Sequence, residues 1–176
     1  MLRLTLALTM IAMSATAADF RELNIGEACG TAREWEAAKG STLISDRTGA
    51  DAEIIAFKGW DFGRDLFFSY FCQHGELFTG NYYFPIESSE QVANTYREIH
   101  ATLLSAYGDT FMDNSPWRSD GDPRFILKNG TRYITSWRTS RLNINLTVIP
   151  NQKNENSGLR VFLIIGPLRS SSTQAH

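Results

Sequence analysis

The chain has only two cysteines among its 176 residues, Cys29 and Cys72, and the compartment in which it folds decides what they can do. Cysteines pair in oxidising compartments, whereas the cytosol keeps thiols reduced. A bond between them would close a loop of about 44 residues and stabilise a domain by roughly 4 kcal/mol on the chain-entropy model. The alternatives are a catalytic thiol and two inert buried cysteines. Export of the chain would therefore favour a disulfide over the two alternatives.

The amino terminus has the layout of a secretory signal peptide. A positive charge precedes the mostly apolar run Leu4–Met13, and small residues follow, with Ala15–Ala17 as the best cleavage site. A helix of that length would be about 15 Å long, half the hydrocarbon thickness of a membrane. We therefore expect removal of residues 1–17, a mature chain starting at Ala18 or Asp19, and a periplasmic or secreted location where the cysteines form a disulfide.

The charge balance limits the kinds of partner. Lys and Arg number 17 against 19 Asp and Glu, which gives a formal net charge of -2. Such a chain has no cationic surplus to neutralise phosphates, so we expect no nucleic-acid partner and no insertion into a membrane once the leader is removed. Aromatic residues make up 12% of the chain, which favours sheet because rings fit a pleated, half-buried surface.

Two segments combine helical spacing of apolar residues with a capping signal at their start. The first spans residues 25–38 and carries Cys29 on its apolar stripe. The second begins after Ser88, whose spacing from Gln91 forms a capping box, and it ends at Gly108. We expect both helices to pack on a sheet.

Seven apolar or alternating runs predict strands. These runs are Glu53–Lys58, Asp65–Gln73, Glu76–Pro85, Arg124–Lys128, Thr131–Arg138, Leu142–Val148 and Leu159–Gly166. Turn signals such as His74-Gly75 and Asn129-Gly130 favour antiparallel hairpins between neighbouring runs. The remaining stretches Ser45–Ala52 and Asp109–Pro123 are interpreted as a turn-rich segment and an acidic loop.

Alternation within one predicted strand indicates which side chains lie on each face of the sheet. In Asp65–Gln73, Cys72 lies on the set that can face the first helix, so a disulfide would join helix and sheet. The opposite set contains Phe67 and Phe71. The second face is therefore also apolar and needs a cover or a partner.

The fold class that follows is α+β: antiparallel meanders of about seven strands with two main helices, in the order α-β-β-β-α-β-β-β-β. We expect one domain over residues 18–168 and a disordered tail over residues 169–176. Two helix-plus-meander units, 19–86 and 87–168, are an alternative, as is one continuous sheet with both helices on one face.

Catalytic and metal-binding signals are sparse. Three histidines, His74, His100 and His176, supply the near-neutral bases, and none falls in a metal-ligand pattern. The acids of the loop do not have calcium-loop spacing, and there is no nucleophile elbow, phosphate loop or dinucleotide fingerprint. We therefore predict no metal, no cofactor and no assigned catalytic residue.

The helix-then-meander layout is similar in topology to small bacterial envelope proteins and secreted inhibitor modules. Because the chain has spare aromatic area and no dense catalytic constellation, we expect a non-catalytic, exported module that binds a protein, of the envelope accessory, inhibitor or immunity type. The predicted binding residues are exposed aromatic and cationic side chains: Trp60, Phe62, Trp117, Arg138 and Arg141.

Two other functions remain open at this point. One is a small secreted hydrolase that uses His74 or His100 with an aspartate of the acidic loop. The other is a carrier of a small ligand or lipid, which needs a cavity of about 300 Å³ or more between sheet and helices.

Overall fold

The structure is a computed structural model, and the residues it describes are 19–21, 23–86, 88–115, 132–150 and 159–168. Several predicted features lie outside these ranges: the leader 1–17, Trp117, the strand Arg124–Lys128, the turn Asn129-Gly130, the tail 169–176 and, within it, His176.

Eight strands of the described chain form one antiparallel sheet, with two helices. The strands are β1 (Thr42–Thr48), β2 (Ala52–Asp61), β3 (Arg64–Gln73), β4 (Glu76–Phe84), β5 (Met112–Asp113), β6 (Tyr133–Arg138), β7 (Leu142–Pro150) and β8 (Leu159–Pro167). The helices are α1 (Ala32–Ala38), preceded by a 3-10 turn (Cys29–Thr31), and α2 (Ser89–Tyr107). The sheet order is β1-β2-β3-β4-β8-β7-β6-β5, so two meanders meet at β4 and β8. The predicted α+β class with antiparallel meanders is confirmed.

Strands β1 and β5 occupy segments for which no strand was predicted. The register between β1 and β2 shifts between Leu43 and Ser45, which breaks the alternation that identifies a strand in sequence. Leu43 and Ile44 are both exposed at the sheet edge, so burial leaves no pattern there either. The first meander therefore has four strands rather than three.

The first helix begins later than predicted. Asn24 and Glu27 form a local turn, in which the Asn24 backbone N–H donates to Glu27 Oε2 over 2.9 Å. The backbone N–H groups of Gly26 and Cys29 donate to carbonyls of the β3–β4 hairpin, which holds the segment extended. By contrast, α2 begins as predicted, with Ser88 Oγ accepting from Gln91 N.

Both helices pack against the same side of the sheet, here called the covered face. Tyr96 of α2 hydrogen-bonds with Thr135 of β6, and Glu36 of α1 accepts from Tyr70 of β3. Cys29 of the 3-10 turn is paired with Cys72 of β3, their Cα atoms 6.3 Å apart. The predicted link between the first helical segment and the sheet is confirmed.

A buried ion pair anchors the amino-terminal segment on the covered face. Arg21 donates from Nε and Nη2 to the two carboxylate oxygens of Glu36, over 2.6 and 3.0 Å. Its Nη1 donates to Asp61 over 2.8 Å, and its guanidinium lies 3.9 Å from the Phe68 ring centroid. The Glu36 side chain is fully buried. The segment before α1, the helix and strands β2 and β3 are thus held by one polar network.

Phe20, next to this network, packs directly on the backbone of β4. A Cβ built on Gly80 would lie 2.1 Å from atoms of the Phe20 ring, closer than real contacts allow. Glycine is required here by the close approach of the ring.

We therefore predict that Gly80→Ala destabilises the protein by about 1–3 kcal/mol, because the added methyl group overpacks the core. The matched control is Gly30→Ala, since a Cβ at Gly30 meets no atom within 4 Å. Urea unfolding monitored by circular dichroism measures both. Equal stability of the two variants would contradict the described packing of Phe20.

Acid should weaken the buried pair. Burial raises the pKa of Glu36, but hydrogen bonds from Arg21, Tyr70 and Ser41 outweigh it, and the net pKa is lowered below the ordinary 4.5. A lowered carboxyl pKa contributes stability that is present above about pH 4.5 and is lost as the pH falls through the folded-state pKa.

We predict that Glu36→Gln costs about 3–5 kcal/mol at pH 7, because it leaves the buried charge of Arg21 poorly compensated. The free energy of unfolding of the variant should also fall less than that of the wild type when the pH is lowered from 5 to the lowest pH at which both proteins still fold. Unfolding free energies measured across this pH range test the prediction, with Glu34→Gln on the exposed side of the same helix as control. Parallel pH profiles for Glu36→Gln and the wild type would argue against it.

Candidate functional site

The side of the sheet opposite the helices, here called the open face, carries the candidate site. Its outward side chains on the first meander are Ile54, Ala56, Lys58, Trp60, Phe67, Ser69, Phe71, Thr79, Asn81 and Tyr83. On the second meander they are Ile134, Ser136, Arg138, Asn143, Asn145, Thr147, Phe162 and Ile164. Apart from Ser136 and Thr147, these side chains are half-buried or exposed. Within the described ranges, the helices contact the covered face instead.

An aromatic row crosses three neighbouring strands of this face. Phe67 is paired in register with Tyr83, which is paired with Phe162. The ring centroids are 6.0 and 5.3 Å apart, respectively, within the range of favourable aromatic contact. The row borders a depression of about 390 Å³, here called the aromatic groove, whose remaining side chains include Ser69 and Asn81. Large apolar rings are thus held half-exposed on rigid strands.

A second depression of about 360 Å³, here called the polar depression, adjoins the groove at Ile164. Its lining includes Thr79, Arg138, Asn143 and Asn145. Asn143 lies directly across from Arg138 on the neighbouring strand. The two depressions therefore form one continuous surface, apolar on one side and polar on the other.

Arg138 and Asn145 are both fixed by neighbours. The Arg138 guanidinium lies 3.9 Å from the centroid of the Phe111 ring. Ser136 Oγ donates to Asn145 Oδ1 over 2.7 Å. Stacking on a ring leaves the in-plane N–H donors of a guanidinium available, and the hydrogen bond at Oδ1 still allows the amide nitrogen of Asn145 to donate to a ligand.

The residues predicted to bind are divided between the two sides of the sheet. Trp60, 67% exposed, lies at one end of the open face, and Arg138 lies towards the other. Phe62 packs on Tyr82 and Phe84 and belongs to the covered side. Arg141 forms a salt bridge with Asp19 over 2.8 Å, so its charge is offset.

The sequence reasoning missed most of the open face. It identified the apolar set with Phe67, but it did not include Phe162 or the asparagines in a binding surface. Alternation in Leu142–Val148 placed Asn143 and Asn145 on a wet face, which is a usable signal. The pairing of β8 with β4 and β7 brings these asparagines next to the aromatic row, and local sequence patterns do not predict that pairing.

The histidines considered for catalysis lie in different surroundings. His74 is exposed in a two-residue hairpin turn. His100 lies on the covered side, with its ring against Tyr96 and Trp137 and its Nε2 3.7 Å from Asp113 Oδ2. This separation exceeds the reach of about 3.2 Å expected for a catalytic hydrogen bond.

The Asp113 carboxylate has other partners. Its Oδ1 accepts from Thr135 Oγ1 and from the Ser115 backbone N–H, over 2.9 and 2.8 Å. The two depressions lie on the opposite face of the sheet from this carboxylate. The contacts favour a packing role for the His100–Asp113 pair.

Within the described part of the chain, no group of three His, Cys, Asp or Glu side chains could hold a metal ion. In the same residues, the helices are too short or too polar to cross a membrane. Comparisons with protein-family models, curated proteins and solved structures gave no match.

Proposed function

We propose that this chain is an exported, non-catalytic module that binds a protein partner through the open face. Export is inferred from the leader over residues 1–17 and is supported by the Cys29–Cys72 disulfide, which is typical of oxidising compartments. The observation that carries the binding function is the half-exposed aromatic row of Phe67, Tyr83 and Phe162.

The energetics of the aromatic row support a macromolecular partner. Half-exposed rings held on rigid strands lose little conformational entropy on binding and still have apolar area to bury. Ile54 and Ile164, exposed by 39% and 36%, extend the apolar area across the face. Contiguous apolar patches on a soluble domain are characteristic of interaction sites.

The position of the depressions argues against a carrier of an enclosed ligand. A carrier needs its cavity between layers, where most of the ligand surface is buried. Both depressions here open from the outward side of the sheet. A surface of this kind suits a partner that itself covers the face.

Photo-crosslinking tests the proposed function in cells of the source organism. We predict that p-benzoylphenylalanine in place of Tyr83 gives an adduct of defined mass with an envelope or secreted protein. The same group in place of Leu104, an exposed residue of α2, should give none. Adding Phe162→Ser should reduce the Tyr83 adduct about tenfold, because truncating an anchor of this kind costs about 1.4 kcal/mol of binding.

Identical adduct patterns at the two positions, or no adduct at Tyr83, would rule out the open face as the binding surface. Unfolding midpoints of the substituted proteins serve as the control for folding.

A further inference from the structure

The charged residues that line the two depressions indicate the charge of a ligand that could bind there. Among the described residues that line them, Arg138 is the only charged one, although the whole chain has a net charge of -2. Within the described ranges, Arg138 forms no salt bridge and is held by Phe111 alone. An anchored cation without a carboxylate of its own complements an anionic group on a partner.

The neutral groups near Arg138 are hydrogen-bond donors. Ser136 Oγ donates to one lone pair of the Asn145 amide oxygen, and the Asn145 amide nitrogen can donate to a ligand. Asn143, across from Arg138, adds a second amide, and Thr79 adds a hydroxyl. A guanidinium with the amides of Asn143 and Asn145 on the neighbouring strand, and a hydroxyl in the same depression, can donate several hydrogen bonds to a carboxylate, which only accepts them.

The lining of the aromatic groove indicates whether the carboxylate belongs to a hydrocarbon chain or to a peptide. Ser69 and Asn81, which are paired in register, lie on its floor beside the rings. A plain hydrocarbon chain would cover these polar groups without giving them hydrogen bonds, which is unfavourable. A peptide supplies both apolar side chains for the rings and backbone amides for Ser69 and Asn81.

The dimensions agree with a short extended peptide. Phe67 on β3 and Arg138 on β6 are separated by four strand intervals, about 19 Å at 4.8 Å per interval, and by four residues along β6, about 13 Å, which gives a diagonal of about 23 Å. Six or seven extended residues span about 20–25 Å. The exposed edge strand β1 is a poorer receptor, since its bulge and the charged Asp46 and Arg47 oppose strand pairing.

Resting on the proposed function, we propose that the polar depression binds a carboxylate of an extended peptide segment of the partner. The apolar side chains of that segment then occupy the aromatic groove. The carboxylate is either the chain terminus or an acidic side chain near it, and Arg138 is the residue that recognises it.

The test uses acetylated hexapeptide pools with Phe, Leu or Ile at alternate positions. One pool ends in a free carboxylate, one in an amide, and one in an amide preceded by Asp. Binding is followed by NMR through the side-chain amide signals of Asn143 and Asn145. We expect the free-acid pool, the Asp pool or both to bind about ten- to hundredfold more tightly than the plain amide pool.

Arg138→Gln should abolish this difference, whereas Arg97→Gln on the exposed side of α2 should preserve it. Equal affinity for all three pools, the absence of binding, or discrimination that survives Arg138→Gln would overturn the inference. Decanoate is a fourth probe, and Arg138-dependent binding of decanoate without peptide binding would also overturn it, in favour of a lipid ligand. If the peptides fail while the Tyr83 adduct persists, only the carboxylate inference is lost; loss of the adduct removes the proposed function itself.

Discussion

The buried pair of Arg21 and Glu36 is the interaction on which the arrangement of the two sheet faces depends. It fixes the amino-terminal segment and α1 against strands β2 and β3, where the disulfide between Cys29 and Cys72 adds a covalent link. Removing one partner of a buried pair leaves an uncompensated charge, so displacing the segment from this position is costly. These elements and α2 contact the covered face, so no described helix covers the aromatic side chains of the open face.

Strand register gives adjacent residues opposite roles. Tyr82 donates to Asp61 in the polar network of the covered face, while the next residue, Tyr83, lies in the aromatic row of the open face. Burial, with the nearby Asp61 carboxylate, raises the pKa of Tyr82 well above 10. A slip of one residue would exchange the two faces, placing the network in water and the row against the helices. The packing that stabilises the covered face thus also determines which side chains the open face presents.

Local patterns in the sequence predicted much of the fold but little of the site. The Ser88 cap, the His74-Gly75 turn and the pairing of Cys29 with Cys72 each rest on short-range chemistry or on two unique residues, and the structure agrees with them. Strand β1 was missed because its bulge and exposure remove alternation. The site was missed because it is assembled by the non-local pairing of β4 with β8, which brings Tyr83 and Phe162 together. Residue type and predicted loop position identified Trp60 and Arg138 as binding candidates. The order of strand pairing is needed to show that the aromatic row lies between them.

Tyrosine nitration of the free protein, mapped by peptide mass spectrometry, tests most directly whether one face is covered and the other open. The structure predicts rapid modification of Tyr83 and protection of its neighbour Tyr82 and of Tyr70, both buried. Protection of Tyr83 equal to that of Tyr82, or modification of both at similar rates, would contradict the division of the sheet into a covered and an open face.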